Sequence, residues 1–202
     1  MRENSKNRRE IARELARKYT TMTHEELDVL ENLLVPMKFA KGEIVLQAGD
    51  VSKHLYYIEK GLVRLFYYKN GKELTEYMAV EGSIVICIES LFNEEPSRLQ
   101  IQTLEPTVLY AIPKKQLEVV ASHHGNIQVL YSRILEEVLK RSQVYADLLR
   151  FETAQERYKR MCKLMPQLIL RAPLLYVASF LQMTPETLSR VRSHMLAEES
   201  KP

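Results

Sequence analysis

Thr184, Pro185, Glu186, Thr187, Ser189, Arg190 and Ser193 lie within ten positions of one another and offer four hydroxyls, one carboxylate and one guanidinium. On the outward face of a helix, such groups suit base edges. Arg190 matches guanine O6 and N7 bidentately and Glu186 accepts from cytosine N4, each pair discriminating by about 1–3 kcal/mol. Thr184 and Thr187, with the free N–H groups of a helix start, suit phosphate oxygens. The plainer alternative is that Glu186 and Arg190, four residues apart, form an exposed ion pair worth a few tenths of a kcal/mol.

No other spacing in the chain points to catalysis or to a metal. Gly-x-Ser-x-Gly, the Gly-Lys-Ser/Thr phosphate loop and His-Glu-x-x-His are all absent. Adjacent His123 and His124 would point about 100° apart on a helix with no further ligand near, which marks a solvated junction. Cys87 and Cys162 stand 75 residues apart, short of the roughly four thiolates an iron–sulfur cluster needs. Cys87 reads as a small core residue of an apolar strand, and the basic helix around Cys162 favours its thiolate.

The elements that must carry Glu186 and Arg190 are legible around them. Leu174 to Val191 has the register of two short helices locked at a steep angle, with Val177, Leu181, Met183, Leu188 and Val191 inside and Ala178 at the close approach. Thr184 caps the second helix, and Pro185 takes its first position, where a missing N–H does no harm. Gln182 stands where such a turn favours glycine for its positive φ. Short helices are predicted over residues 153–164, 166–170, 173–181 and 184–196. Residues 150–202 hold nine basic against five acidic residues, so the tail's surplus of +4 exceeds the net +3 of the whole chain.

Upstream, Ile127, Tyr131, Ile134, Val138, Tyr145 and Leu148 recur at helical spacing, with Arg141 interrupting the heptad. This predicts a long helix over residues 125–150 whose stripe packs on a second copy of the chain, or alternatively on its own domain. Before it, five of the six glycines fall at residues 42, 49, 61, 71 and 82. Strands are expected between them and beyond, over 43–47, 55–58, 62–68, 73–78, 83–88, 99–104 and 108–112, with a type I′ hairpin at Asn70-Gly71. Residues 35–124 therefore read as an antiparallel β-roll or jelly roll. Thr23-x-x-Glu26 is a capping box opening a helix to Leu34, and residues 8–18 suggest a basic one before it, so 1–34 forms an N-terminal helical segment and 151–202 a helical head.

This order, an α+β chain of β-roll, long helix and helix-turn-helix, resembles the bacterial Crp/Fnr family. The matching motifs are Lys41-Gly-Glu-Ile-Val-Leu-Gln-Ala-Gly-Asp50, Tyr57-Ile-Glu-Lys-Gly61 and Glu186-Thr-Leu-Ser-Arg190. The resemblance implies a homodimeric transcription regulator whose roll senses a small-molecule effector and whose heads read double-stranded DNA, with RNA polymerase as a partner at promoters. In the family a Gly-Glu pair and an Arg-Ser pair hold a cyclic nucleotide. Here Ile86, Cys87 and Glu89 stand in the first region, and the second is inverted as Ser97-Arg98, which turns Arg98 to the opposite face of a strand. That argues against cyclic AMP and for another ligand at this place. The stretch from Leu196 to Pro202 is short and polar for the β-hairpin wing of the family.

At 202 residues, 46% hydrophobic and 27% charged, the composition is that of a folded globular chain. Its longest apolar runs are far below the roughly 20 residues of a membrane span. The charged N-terminus lacks the apolar core of an export signal, and two cysteines make no disulfide framework, so a cytoplasmic setting is expected. The expectation is a DNA-reading regulator without a catalytic, heme or iron–sulfur centre, the alternative being an interaction module of the same fold.

Overall fold

The computed structural model describes residues 7–199, so the last three residues of the polar tail lie outside the described residues. Asn7 accepts from the Glu10 N–H while Glu10 accepts from the Asn7 N–H, opening α1 (Arg8–Tyr19); Thr23 and Glu26 make the same reciprocal pair at α2 (His24–Leu33). Both helices bury their apolar faces on the roll and on the long helix beyond it.

The roll comprises β1 (Val35–Phe39), β2 (Ile44–Leu46), β3 (His54–Lys60), β4 (Val63–Lys69), β5 (Lys72–Ala79), β6 (Ile84–Val85), β7 (Gln100–Thr103) and β8 (Thr107–Pro113). They form two four-stranded sheets, β1-β8-β3-β6 and β2-β7-β4-β5, in which every pair is antiparallel. Tyr56, Ile58, Val63, Leu65, Ile101, Leu109 and Ala111 belong to the core the two sheets share. Asn70 and Gly71 have φ of 52° and 72°, the type I′ geometry expected of that hairpin. Gly61 is required at φ +111°, since a Cβ there would stand 2.8 Å from Thr107 Cα.

The strand expected over residues 83–88 is shorter than its apolar run. Only Ile84 and Val85 pair, Cys87 caps α3 (Ile88–Asn93) rather than continuing the strand, and that helix begins at once. A short run buried on all sides has no period that separates strand from helix. α4 (Lys114–Ala121), directly after β8, escaped the sequence reading.

The long helix is α5 (Gly125–Phe151), and its stripe is turned inward. Ile127, Tyr131, Ile134 and Val138 pack in one cluster with α1, α2, α4 and the roll, Leu148 packs in the core of the head, and Tyr145 is partly buried beside it. The seam assigned to a second copy is therefore an intramolecular core: a stripe specifies that a face is covered, not by what. Arg141 interrupts the heptad because its guanidinium lies over the Tyr77 ring, at 4.4 Å, and donates to Ile84 O at 3.3 Å.

The head consists of α6 (Ala154–Leu164), α7 (Pro166–Arg171), α8 (Leu174–Phe180) and α9 (Pro185–Glu199). Its core is closed by Leu62, Met78 and Leu104 of the roll. α8 covers the edge strand β5, where the Thr75 N–H donates to Ser179 Oγ at 2.9 Å. Tyr145 stacks on Phe180 at 4.7 Å and its hydroxyl donates to Phe180 O. Arg171 forks onto Glu81 (2.8 Å) and Glu105. Arg64, only 2% exposed, is held by Glu73 (2.5 Å) and Gln102 (2.9 Å) beneath the ring of Tyr176 at 3.6 Å. No helix among the described residues is long and apolar enough to cross a membrane.

Candidate functional site

α8 and α9 form the helix-turn-helix expected from Leu174 to Val191. Val177, Ala178, Leu181 and Leu188 are buried between them, with Met183 and Val191 partly so. The turn closes through the Met183 N–H to Ala178 O at 3.0 Å, and Gln182 adopts φ +51°, the left-handed conformation anticipated for it. Arg157 of α6 donates to Gln182 O at 3.4 Å and to Glu152 O at 2.8 Å, bracing the turn from behind. Sequence reasoning missed this contact, since nothing local links residues 25 apart.

Thr184 caps α9 by accepting from the Thr187 N–H at 3.1 Å, and Pro185 is its first residue. Thr184, Glu186, Ser189, Arg190 and Ser193 lie toward solvent, while Pro185 and Thr187 line the same outward turn at the helix start. Backbone and Thr184 hydrogen bonds hold the Glu186 carboxyl below its ordinary range, with the Arg190 charge a smaller cause. Glu186 and Arg190 make no ion pair with each other, so both are presented outward. Ser193 donates to Ser189 O at 3.1 Å, which leaves its oxygen as an acceptor. Arg192 and Lys163 are exposed nearby, whereas Arg171, a backbone-contact candidate by charge, is committed to Glu81 and Glu105.

The five residues assigned to a ligand pocket come together but face two spaces. Beneath α3 a cavity of about 130 Å³ is lined by Cys87, Glu89, Ser97 and Arg98 among others. Beside it a cleft of about 460 Å³ takes Ile86, Glu89 and Arg98 from the roll. Its other wall, Glu76 and Tyr77 of β5 with Val138, Arg141, Tyr145 and Leu149 of α5, was not anticipated. Ser97 is buried and closes on its own loop, accepting from the Leu99 N–H at 3.0 Å. Arg98 points outward to Glu76 (3.4 Å) and Glu89 (3.6 Å), over the Tyr67 ring. The inversion thus has the predicted effect of separating serine and arginine between faces. Burial pushes the Cys87 thiol up to about 12, against a bond from Ser97, so it is a core thiol. It also raises the Glu76 carboxyl, against the attraction of Arg98. His123 is exposed and His124 caps α5, both at a helix junction.

A β-roll flanked by a cleft, joined by a long helix to a helix-turn-helix, defines a ligand-sensing DNA-binding architecture. Residues 36–124 match the cyclic nucleotide-binding domain. The fumarate and nitrate reduction regulatory protein of Shigella dysenteriae is 26% identical over 199 residues, covering 90% of this chain and 79% of the relative. Its namesake in Escherichia coli K12 is 27% identical over 139 residues, 68% of this chain, but the match spans only 55% of that relative. FixK2 of Bradyrhizobium japonicum shares the fold at a TM-score of 0.67 and 17% identity, over 82% of this chain and 86% of FixK2. The catabolite activator protein of Thermus thermophilus aligns at 0.54 and 24% identity, over 92% and 87%. Sequence and fold alike are those of the Crp/Fnr family of transcription regulators, in which this chain takes its place.

Proposed function

We propose that the protein is a homodimeric, sequence-specific DNA-binding transcription regulator that inserts α9 into the major groove of each half of a two-fold symmetric site. The supporting observation is the division of α9 into a face locked on α8 through Leu188 and Val191 and an outward face carrying Glu186 and Arg190, neither of them spent on the other. Ser189 and Ser193 flank them, and Thr184, Thr187 and the helix start serve phosphates. Half-sites lie about one helical turn, or 34 Å, apart.

With the inner stripe of α5 already buried, the second copy docks on Ser132, Leu135, Leu139, Ser142 and Ala146. These recur at intervals of three and four, and Leu139 is 70% exposed. Ser142 and Ala146 also border the cleft, so the partner helix closes its open side. The effector is a small molecule other than cyclic AMP: Arg98, the one arginine of the inverted pair, faces two carboxylates, and a cyclic phosphate would have to displace both. RNA polymerase is the partner at promoters.

Selection of duplexes from a random library, at physiological salt and without added ligand, tests the reading. Enrichment of a two-fold symmetric motif that Arg190→Ala relaxes at one base position supports it. No enrichment, with or without cyclic AMP and cell extract, overturns it in favour of an interaction module.

A further inference from the structure

A separate cavity of about 290 Å³ opens where β3 begins, α3 ends and α4 leaves β8, and it shares no lining residue with the cleft. Its character follows from how α4 starts. Pro113 is the cap residue and offers neither a side-chain acceptor nor an N–H. The Lys114 N–H donates to Lys53 O at 3.0 Å, but the Lys115 and Gln116 N–H groups reach no acceptor among the described residues. Helix starts favour acidic residues, yet this first turn has none and carries two lysines. Lys53 adds a third ammonium. Glu94 meets Lys115 at 3.0 Å and Glu118 meets Lys114 at 3.3 Å, while Lys53 forms no ion pair among the described residues.

Ser52 supplies an independent indication. It is 2% exposed and lines this cavity; its N–H donates to Ser90 Oγ at 2.8 Å, yet its own hydroxyl has no partner among the described residues. Buried hydroxyls are ordinarily satisfied. Two backbone N–H groups, a hydroxyl and an uncompensated ammonium therefore border one small space, and nearly all of them are donors. An oxyanion is the chemistry that such a set satisfies. We infer that this cavity binds a small phosphate-bearing molecule, either inorganic phosphate or a short phosphate monoester. Val51, Leu91 and Pro113 form apolar walls for the carbon body of an ester, and the volume lies at the small end of the roughly 300–1,000 Å³ typical of ligand sites.

The test is amide NMR on the full chain without DNA, titrating inorganic phosphate and glycerol 3-phosphate to about 10 mM at ionic strength held constant with chloride. The expected result is saturable shifts at the Lys115 and Gln116 amides, with affinity reduced about tenfold in Lys53→Ala and in Ser52→Ala. Tighter binding of the ester assigns the ester, and equal or tighter binding of phosphate assigns the free ion. Non-saturating shifts with both probes, or an affinity indifferent to Lys53→Ala, overturn the inference. Arg190→Ala leaves the titration unchanged, so this result stands or falls apart from DNA reading.

Discussion

Replacing Glu81 with glutamine removes one charge from the joint between roll and head while keeping its shape. Burial alone would raise this carboxyl, but the Arg171 fork and the Gly61 N–H outweigh it and bring it from 4.5 to about 2. That difference is equivalent to about 3 kcal/mol. Because the Glu81 side chain is 38% exposed, solvent screening reduces the working figure to about 1–2 kcal/mol. The folded carboxyl titrates below the unfolded one, so its stabilisation is complete above about pH 4.5 and drains away as pH falls toward 2. Glu81→Gln is therefore expected to lower stability by about 1–2 kcal/mol at pH 7 and by almost nothing near pH 2. Urea unfolding followed by the near-ultraviolet dichroism of the 11 tyrosines, in both proteins at both pH values, measures this. An equal loss at the two pH values would show that packing, not charge, holds the joint.

Arg190→Ala is expected to cost about 1–3 kcal/mol at a single base position of the bound site, read by competition binding against mutated duplexes. A uniform loss over all positions would make Arg190 a phosphate contact instead. Gln182→Gly relieves a left-handed backbone and should raise stability by about 0.5–1 kcal/mol; a lower melting temperature would show that Arg157 has already offset the strain. Leu139→Glu should convert the dimer to monomer in light scattering at micromolar concentration with the fold unchanged, and a surviving dimer would move the interface off this face of α5. Cys87, with its thiol near 12, should resist iodoacetamide at pH 8 in the folded chain while Cys162 reacts first. Early Cys87 labelling would mean that α3 opens readily.

The strands, caps and helix-turn-helix were legible because local chemistry decides them. Asn70-Gly71 tolerates two positive φ values, Thr23 and Thr153 each find a glutamate three residues on, and Ala178 leaves room for α9. What was not legible depends on distant chain. The stripe from Ile127 to Leu148 has the spacing of a seam, and only the placement of α1, α4 and the head shows that it is already covered. Glu76 and Tyr145 carried no local signal for the cleft, because one sits on a β5 bulge and the other faces it from α5. Ser97 and Arg98 were read correctly as facing apart, since strand alternation is a local rule.

The shared core of roll and head bears on how the molecule comes apart. Leu62, Met78 and Leu104 close the hydrophobic interior of the head, and the Thr75 N–H on the edge of β5 is capped by a head residue. Opening the head therefore uncovers apolar surface on both sides and frees a strand edge. The two halves then melt in one cooperative step instead of two, and slow hydrogen exchange at α8 amides becomes a gauge of how firmly the sensor itself is closed.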